Sequence, residues 1–289
     1  MSKTIVFVHG AWLTSLSWEN FLPYFTAKGY TCQAPEWPLR DKSVAELRQH
    51  TPPALAEIGV KELTDHYEAI IRALPEPPIL IGHSFGGLIV QQLLDRGVGR
   101  AGVALDSVAP EGVFALDWSV LKANASVLLK WMAWGQVVHM TQAEFAYAFT
   151  NTFPVEQQQY YYTNYVVPES GRLFFQAAFA QLDPHHALHV NVKNHARAPL
   201  LLIAGEKDHL IPPHVTKSNY DHYKDSKART DLHELLAQLF DAAGQRDSAG
   251  AHYTVVERAW HSADPIVRQR YDAAQRWLGA HLVPHRHSP

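Results

Sequence analysis

The amino-acid sequence predicts an α/β protein with a mostly parallel central sheet of about six strands, flanked by helices, and with an inserted helical cap. Two observations lead to this architecture. Short apolar runs alternate with segments of helical periodicity, which indicates a parallel sheet covered on both faces. This alternation stops between residues 111 and 198. We therefore predict a core of residues 1–110 and 199–289 and a cap of residues 111–198.

The predicted strands are distributed over both parts of the core. Most are rich in β-branched or other apolar residues, and each is followed by a polar, glycine or proline residue. They are residues 4–8, 31–34, 79–81, 103–105, 200–204 and 253–256.

Helices are predicted between these strands. Residues 88–94 follow the third strand with a helical pattern, and residues 266–282 follow an Asp-Pro pair, which favours a helix start. A stripe of apolar residues at helical spacing precedes the third strand. The stripe consists of Leu63, Tyr67, Ile70, Ile71 and Leu74.

The predicted cap is more apolar than the rest of the chain. It holds nearly half of the aromatic residues but few of the charged ones. Thr141 and Glu144 have the spacing of a helix capping box, and residues 170–182 are again helical in pattern. Either a small hydrophobic core or the lining of a substrate pocket explains the aromatic residues, and the two explanations are compatible.

A further amphipathic helix is predicted over residues 232–243, where apolar residues recur on one helical face. Periodicity leaves three roles open for it: packing on the core, flanking the site entrance, or a homodimer contact.

Composition limits the partners that we expect. The formal net charge is −3 without a block of like charge, which argues against nucleic acid or a membrane surface. Apolar segments are shorter than the ~20 residues that span a bilayer. The single cysteine, Cys32, cannot form an internal disulfide, and residues 1–10 enter a strand without a signal peptide pattern. We expect a cytoplasmic protein with a small-molecule ligand.

Residues 82–86, Gly-His-Ser-Phe-Gly, match the pattern G-x-S-x-G between a predicted strand and a predicted helix. Small residues around the serine allow a strained turn that projects its hydroxyl from the sheet edge. The helix N-terminus adds free N–H groups and a dipole that favour negative charge. The pattern therefore predicts that Ser84 is a nucleophile.

Four segments in this order resemble the α/β-hydrolase fold family over nearly the whole chain. They are VFVHGAW, GHSFGG, AGEKDHLIPP and AWHSADP. The chain is most similar to the branch that contains small capped carboxylesterases, plant methylesterases and hydroxynitrile lyases. Lyases of that branch carry a threonine in place of Gly10 and a lysine in place of Ser262, so hydrolysis is the favoured activity.

The resemblance implies a catalytic triad. A serine hydroxyl needs a base to accept its proton and an acid to orient that base. His261 stands where the family has its base, and Asp208 gives the chain order Ser84, Asp208, His261. Asp106, after the strand at 103–105, is the alternative acid.

The same chemistry needs two N–H donors for the developing oxyanion. Phe85, directly after the nucleophile, should supply one, and the resemblance places the other at Ala11. Trp12 and His83 are the candidates for substrate contacts, although such residues also occur as ordinary core residues.

The predicted reaction is hydrolysis of carboxylic esters of small to medium apolar substrates through an acyl-enzyme. No cofactor and no metal are expected, since no Cys or carboxylate set completes a metal site around the clustered histidines. Those histidines are His185, His186, His189, His285 and His287. The alternatives are a lactonase or thioesterase with the same triad, a hydroxynitrile lyase-like C–C lyase, or a noncatalytic small-molecule receptor.

Overall fold

A computed structural model of the chain describes residues 3–113, 133–223, 272–278 and 280. The chain divides into two compact units, Met1–His222 and Tyr223–Pro289. In the second unit, residues 272–278 are helical and Ala274 is buried, within the helix predicted at 266–282. The predicted strand at 253–256 and the predicted amphipathic helix at 232–243 lie outside the described residues.

The first unit is built on a parallel sheet. Its described residues form a five-stranded sheet and a two-stranded antiparallel ribbon. The strands are β1 (Thr4–Val8), β2 (Thr31–Gln33), β3 (Ile79–His83), β4 (Ala101–Leu105), β5 (Val137–Val138), β6 (Glu169–Ser170) and β7 (Leu200–Ile203). The order in the large sheet is β2-β1-β3-β4-β7, and all neighbours are parallel. The predicted fold class, α/β with a mostly parallel sheet, is confirmed.

The register of the sheet aligns the strand ends that matter for the site. Val8 lies opposite Gly82, and Gly82 lies opposite Ala104. Leu105 in turn lies opposite Ile203. Because the strands are parallel, the loops after β1, β3, β4 and β7 leave from the same edge, which is where ligands of such sheets bind.

Helices cover the sheet in the described part of the chain. They are α1 (Phe21–Ala27), α2 (Val44–Gln49), α3 (Val60–Arg72), α4 (Phe85–Asp95), α5 (Gln142–Ala148), α6 (Val155–Tyr165), α7 (Gly171–Ala178) and α8 (Pro213–His222). Helix α3 buries Leu63, Tyr67 and Ile71 of the predicted apolar stripe. Helix α4 is buried along nearly its whole length, because it packs against β1, β3 and β4.

The segment predicted as the cap contains α5, α6, α7 and the β5–β6 ribbon among its described residues. The capping box of Thr141 and Glu144 is present at the start of α5, as predicted. Phe145 packs against Phe149 and Tyr162, with ring centroids 5.1 and 6.0 Å apart, so these aromatic residues form a small core of their own. The cap boundaries at 111 and 198 stay a prediction, and residues 114–132 lie outside the described part.

A side chain of helix α7 in this segment binds a backbone N–H at the start of helix α3. The Gln176 side chain accepts a hydrogen bond of 3.0 Å from the Val60 N–H at the start of α3. That N–H has no partner within its own helix.

Within the described ranges, no helix is long and apolar enough to cross a membrane.

Candidate active site

Ser84 lies at the corner between β3 and α4. Its backbone has a φ of 56° and a ψ of −120°, which is unusual for a residue with a side chain. Four hydrogen bonds hold the corner: the Ser84 N–H donates to the Leu105 carbonyl, and its own carbonyl accepts from Gly87, Leu88 and Val108. The strained backbone is therefore fixed by both α4 and the segment after β4.

Glycine is required around the serine because backbone segments approach closely. A Cβ at Gly82 would lie 2.1 Å from the Gly86 carbonyl oxygen, and one at Gly86 would lie 2.1 Å from the Val8 carbonyl oxygen. On the other side, a Cβ at Gly10 would lie 2.9 Å from the Ser84 Cβ. The loop after β1 thus runs directly against the serine.

The serine opens into a cleft of about 270 Å³. Its lining comes from the loops after β3, β4 and β7 and from the loop that joins α5 to α6. The lining residues are His83, Ser84, Asp106, Ala148, Phe149, Asn151, Thr152, Gly205, Lys207, Asp208, Leu210 and Ile211. The structure therefore brings Ser84, His83 and both candidate acids together.

Asp208 is oriented by its own loop. One carboxylate oxygen, Oδ1, accepts hydrogen bonds from the Leu210 N–H at 2.6 Å and the Ile211 N–H at 2.8 Å. The Asp208 N–H donates to the Gly205 carbonyl. These bonds fix the direction in which the carboxylate points.

Asp106 stands in a different environment. Its Oδ1 accepts the Gly205 N–H at 2.5 Å, so it braces the loop that carries Asp208. Burial raises the pKa of the Asp106 carboxyl, and the charge of Asp208 adds to this rise, against the opposing influence of the Gly205 N–H and His83. Burial also lowers the pKa of His83, although both aspartates act against that shift.

The two predicted oxyanion donors come from the loops that meet at Ser84. Phe85 is the first residue of α4, so its N–H has no acceptor within the helix. Ala11 is buried in the loop after β1. Both positions are compatible with the predicted roles, which stay predictions.

Trp12, for which the sequence predicts a substrate contact, is a buried residue. It is 3% exposed and stacks on Phe174 of α7, with ring centroids 5.0 Å apart. Phe85 contacts the same Phe174 ring at 5.8 Å. Of the two predicted substrate contacts, His83 lines the described cleft and Trp12 does not.

The predicted base, His261, lies outside the described residues, as does Ser262.

Asn151 and His209 connect the cap segment to the loop that carries Asp208. The sequence does not indicate this contact. The Asn151 side chain donates to the Lys207 carbonyl at 2.9 Å and lies 3.2 Å from His209 Nε2. The His209 ring packs on Tyr147, and its Nδ1 lies 2.8 Å from the Tyr147 carbonyl oxygen. The sequence points to Lys207 and His209 only because they stand next to Asp208. No sequence pattern marks Asn151.

Two of the three clustered histidines of the predicted cap lie beside one carboxylate. His186 and His189 have Nδ1 atoms 2.9 and 3.7 Å from the Glu111 carboxylate. Within residues 3–113, 133–223 and the described helical stretch near the C-terminus, no three His, Cys, Asp or Glu residues are arranged to hold a metal ion. His285 and His287 lie outside this part.

Comparison with known proteins identifies the family. The model of the alpha/beta hydrolase family matches residues 5–287. The chain belongs to the alpha/beta hydrolase family. The predicted resemblance and enzyme class are thereby confirmed. No protein with curated annotation matches the sequence significantly.

Solved structures of other alpha/beta hydrolase fold proteins share the architecture of this hydrolase. An extracellular alpha/beta-hydrolase from Paenibacillus, described as homologous to tobacco salicylic acid binding protein 2, is 20% identical, with 77% of this chain and 87% of that chain covered and a TM-score of 0.55. Tomato methylketone synthase I is 16% identical, with coverages of 85% and 99% and a TM-score of 0.55. The methylesterase MES16 from Arabidopsis is 18% identical, with coverages of 83% and 98% and a TM-score of 0.52.

The close backbone contacts at the corner between β3 and α4 predict that Gly82→Ala strongly destabilises the fold. The new methyl group would meet the Gly86 carbonyl oxygen, so the free energy of unfolding should fall by about 3 kcal/mol or more, as measured by urea denaturation. Gly135→Ala is the matched control, because no atom of the described residues lies within 4 Å of a Cβ there. It should change the same quantity by less than about 0.5 kcal/mol. Equal stabilities of the two variants would contradict this account.

Proposed function

We propose that this hydrolase cleaves carboxylic esters through an acyl-enzyme formed on Ser84. The observation that carries the proposal is the placement of Ser84, in a strained corner at the N-terminus of α4, in one cleft with an oriented carboxylate, Asp208. Family membership supports hydrolysis. The name of one structural relative, the methylesterase MES16, supports esters as the substrate class.

The proposed reaction has two halves. In the first, Ser84 Oγ attacks the ester carbonyl carbon while His261 accepts the hydroxyl proton and passes it to the leaving alcohol. In the second, His261 removes a proton from water, the water oxygen attacks the acyl carbon, and the acid leaves as Ser84 regains its proton. In both halves the N–H groups of Phe85 and Ala11 stabilise the negative charge on the carbonyl oxygen.

Asp208 is the proposed acid of the triad. An acid that orients a histidine must be ionised and held in one direction. Two backbone N–H groups hold the Asp208 carboxylate, whereas burial and the charge of Asp208 raise the pKa of Asp106. Asp106 is better suited to brace the acid loop through Gly205.

The proposed substrates are small to medium esters with apolar groups. The cleft at Ser84 has a volume of about 270 Å³, which suits a small to medium substrate. Its apolar lining residues are Ala148, Phe149, Leu210 and Ile211, and these would contact acyl or alcohol groups. Asn151, Thr152 and Lys207 add polar atoms to the lining, which suit the ester group or a polar end of the substrate.

Ser84→Ala should abolish ester hydrolysis while the protein keeps its fold, because alanine removes the nucleophilic oxygen and little volume. A fluorophosphonate should label wild-type protein at Ser84, as shown by peptide mass spectrometry. Ser43→Ala is the matched control, since Ser43 caps α2, does not line the cleft and is not the proposed nucleophile. Labelling at another serine, or activity that survives Ser84→Ala, would refute the assignment.

The choice of acid predicts unequal effects of two conservative variants. Asp208→Asn should lower kcat by about two to four orders of magnitude, because the base loses its orienting charge. Asp106→Asn should have a much smaller effect, since asparagine can still accept the Gly205 N–H bond. Steady-state kinetics on one ester compares them. A larger loss in Asp106→Asn would make Asp106 the acid instead.

The size of the cleft predicts how ester hydrolysis depends on the length of the acyl chain. Each buried methylene should add up to about 0.8 kcal/mol of transition-state binding, so kcat/KM should rise over the first few carbons. It should then fall for long chains that exceed the cleft. A series of p-nitrophenyl esters from acetyl to palmitoyl measures this dependence. A flat profile, or a maximum at the longest chain, contradicts a substrate site of limited size with apolar contacts.

A further inference from the structure

A buried ion pair connects the cap segment to the segment between β2 and α2, and both partners also bind the loop after β1. Glu169 of β6 is fully buried, and Arg40 is 2% exposed. The Arg40 Nη2 group donates to Glu169 Oε2, and its Nη1 group donates to the Leu13 carbonyl. The Arg40 guanidinium also lies over the Trp37 ring, 4.9 Å from its centroid. The pair is therefore held from several sides.

Glu169 also binds the residue that follows the predicted oxyanion donor. Its Oε2 accepts the Trp12 N–H at 3.0 Å, and its Oε1 accepts the Ser170 N–H at 2.8 Å. The Trp12 carbonyl accepts the Val167 N–H at 2.9 Å. Both backbone polar groups of Trp12 are thus bound by residues of the cap segment.

These bonds stabilise an unusual backbone conformation. Trp12 has a φ of 68°, in the left-handed region that bulky residues rarely adopt. Its N–H belongs to the planar peptide that joins it to Ala11, so holding this N–H restricts the rotation of that peptide. The Ala11 N–H lies one peptide earlier, and the φ and ψ of Ala11 relate its direction to that of the Trp12 N–H. Gly10, directly before Ala11, allows the loop to approach Ser84.

Fold stability alone does not account for an ion pair at this place. Removing two charges from water costs several kcal/mol per ion, and an apolar pair of similar volume often stabilises a core as well or better. The carboxylate does what an apolar side chain cannot, since its two oxygens accept bonds from Arg40, Trp12 and Ser170 together.

We propose that Glu169, fixed by Arg40, is a positioning residue of the oxyanion hole. It holds Trp12 in the left-handed conformation and so aims the Ala11 N–H at the carbonyl oxygen of the substrate. This role rests on the proposed acyl transfer at Ser84. It also assigns to the cap segment a part in the chemical step, besides any contact with substrate.

Glu169→Leu tests the role, because leucine is of similar size and has no acceptor for the Trp12 and Ser170 N–H groups. An oxyanion donor that is misaimed rather than removed should cost about ten- to hundredfold in kcat, with little change in KM. The affinity for a trifluoromethyl ketone, which forms a tetrahedral oxyanion adduct with the serine, should fall by a similar factor.

A second variant separates positioning from folding. Glu169→Leu alone leaves the Arg40 charge buried and unpaired, whereas Glu169→Leu combined with Arg40→Met leaves no unpaired charge. The double variant should fold and show the same loss in kcat. Glu144→Leu is the matched control, because Glu144 lies in the same segment and accepts bonds from Thr141 at the start of α5. It should leave kcat and inhibitor affinity unchanged.

The outcomes distinguish the two proposals. Parallel losses in kcat and inhibitor affinity, in a folded double variant, support positioning by Glu169. A lower melting temperature with unchanged kcat and affinity would overturn it and leave Glu169 with a purely structural role. Wild-type protein that neither hydrolyses esters nor is labelled at Ser84 would instead contradict the proposed function, and with it this role.

Discussion

The close approach of backbone segments between β3, α4 and β1 is the constraint on which the rest of the first unit depends. Gly82, Gly86 and Val8 come together at distances that leave no room for a side chain. The burial of α4 against the sheet offsets the strain in the Ser84 backbone. The sheet, the turn and the helix are therefore determined together.

The parallel register turns this local constraint into a site. Gly82 is opposite both Val8 and Ala104 in the sheet, so the loop with Ala11 and the segment with Asp106 necessarily flank the serine. The next strand, β7, brings Asp208 to the same edge. Residues that are more than a hundred positions apart thus meet because parallel strands end together.

Many of the features that the sequence predicted are local ones. The apolar runs of β1 and β3, the capping box at Thr141 and the glycines around Ser84 are all encoded within a few residues. The pairing of Arg40 with Glu169 is not, because 129 positions separate the two residues and neither stands in a motif. Likewise, aromatic character alone did not show that Trp12 stacks on Phe174.

The attachment of residues 167–169 to Trp12 bears on how substrate and product pass in and out. Swinging this segment away as a rigid lid would break the Arg40–Glu169 pair and the hydrogen bonds at Trp12, each worth about 0.5–1.5 kcal/mol or more. Its opening would also disassemble the loop that holds Ala11. Residues 167–169 are therefore expected to stay in place while ligands enter and leave the cleft.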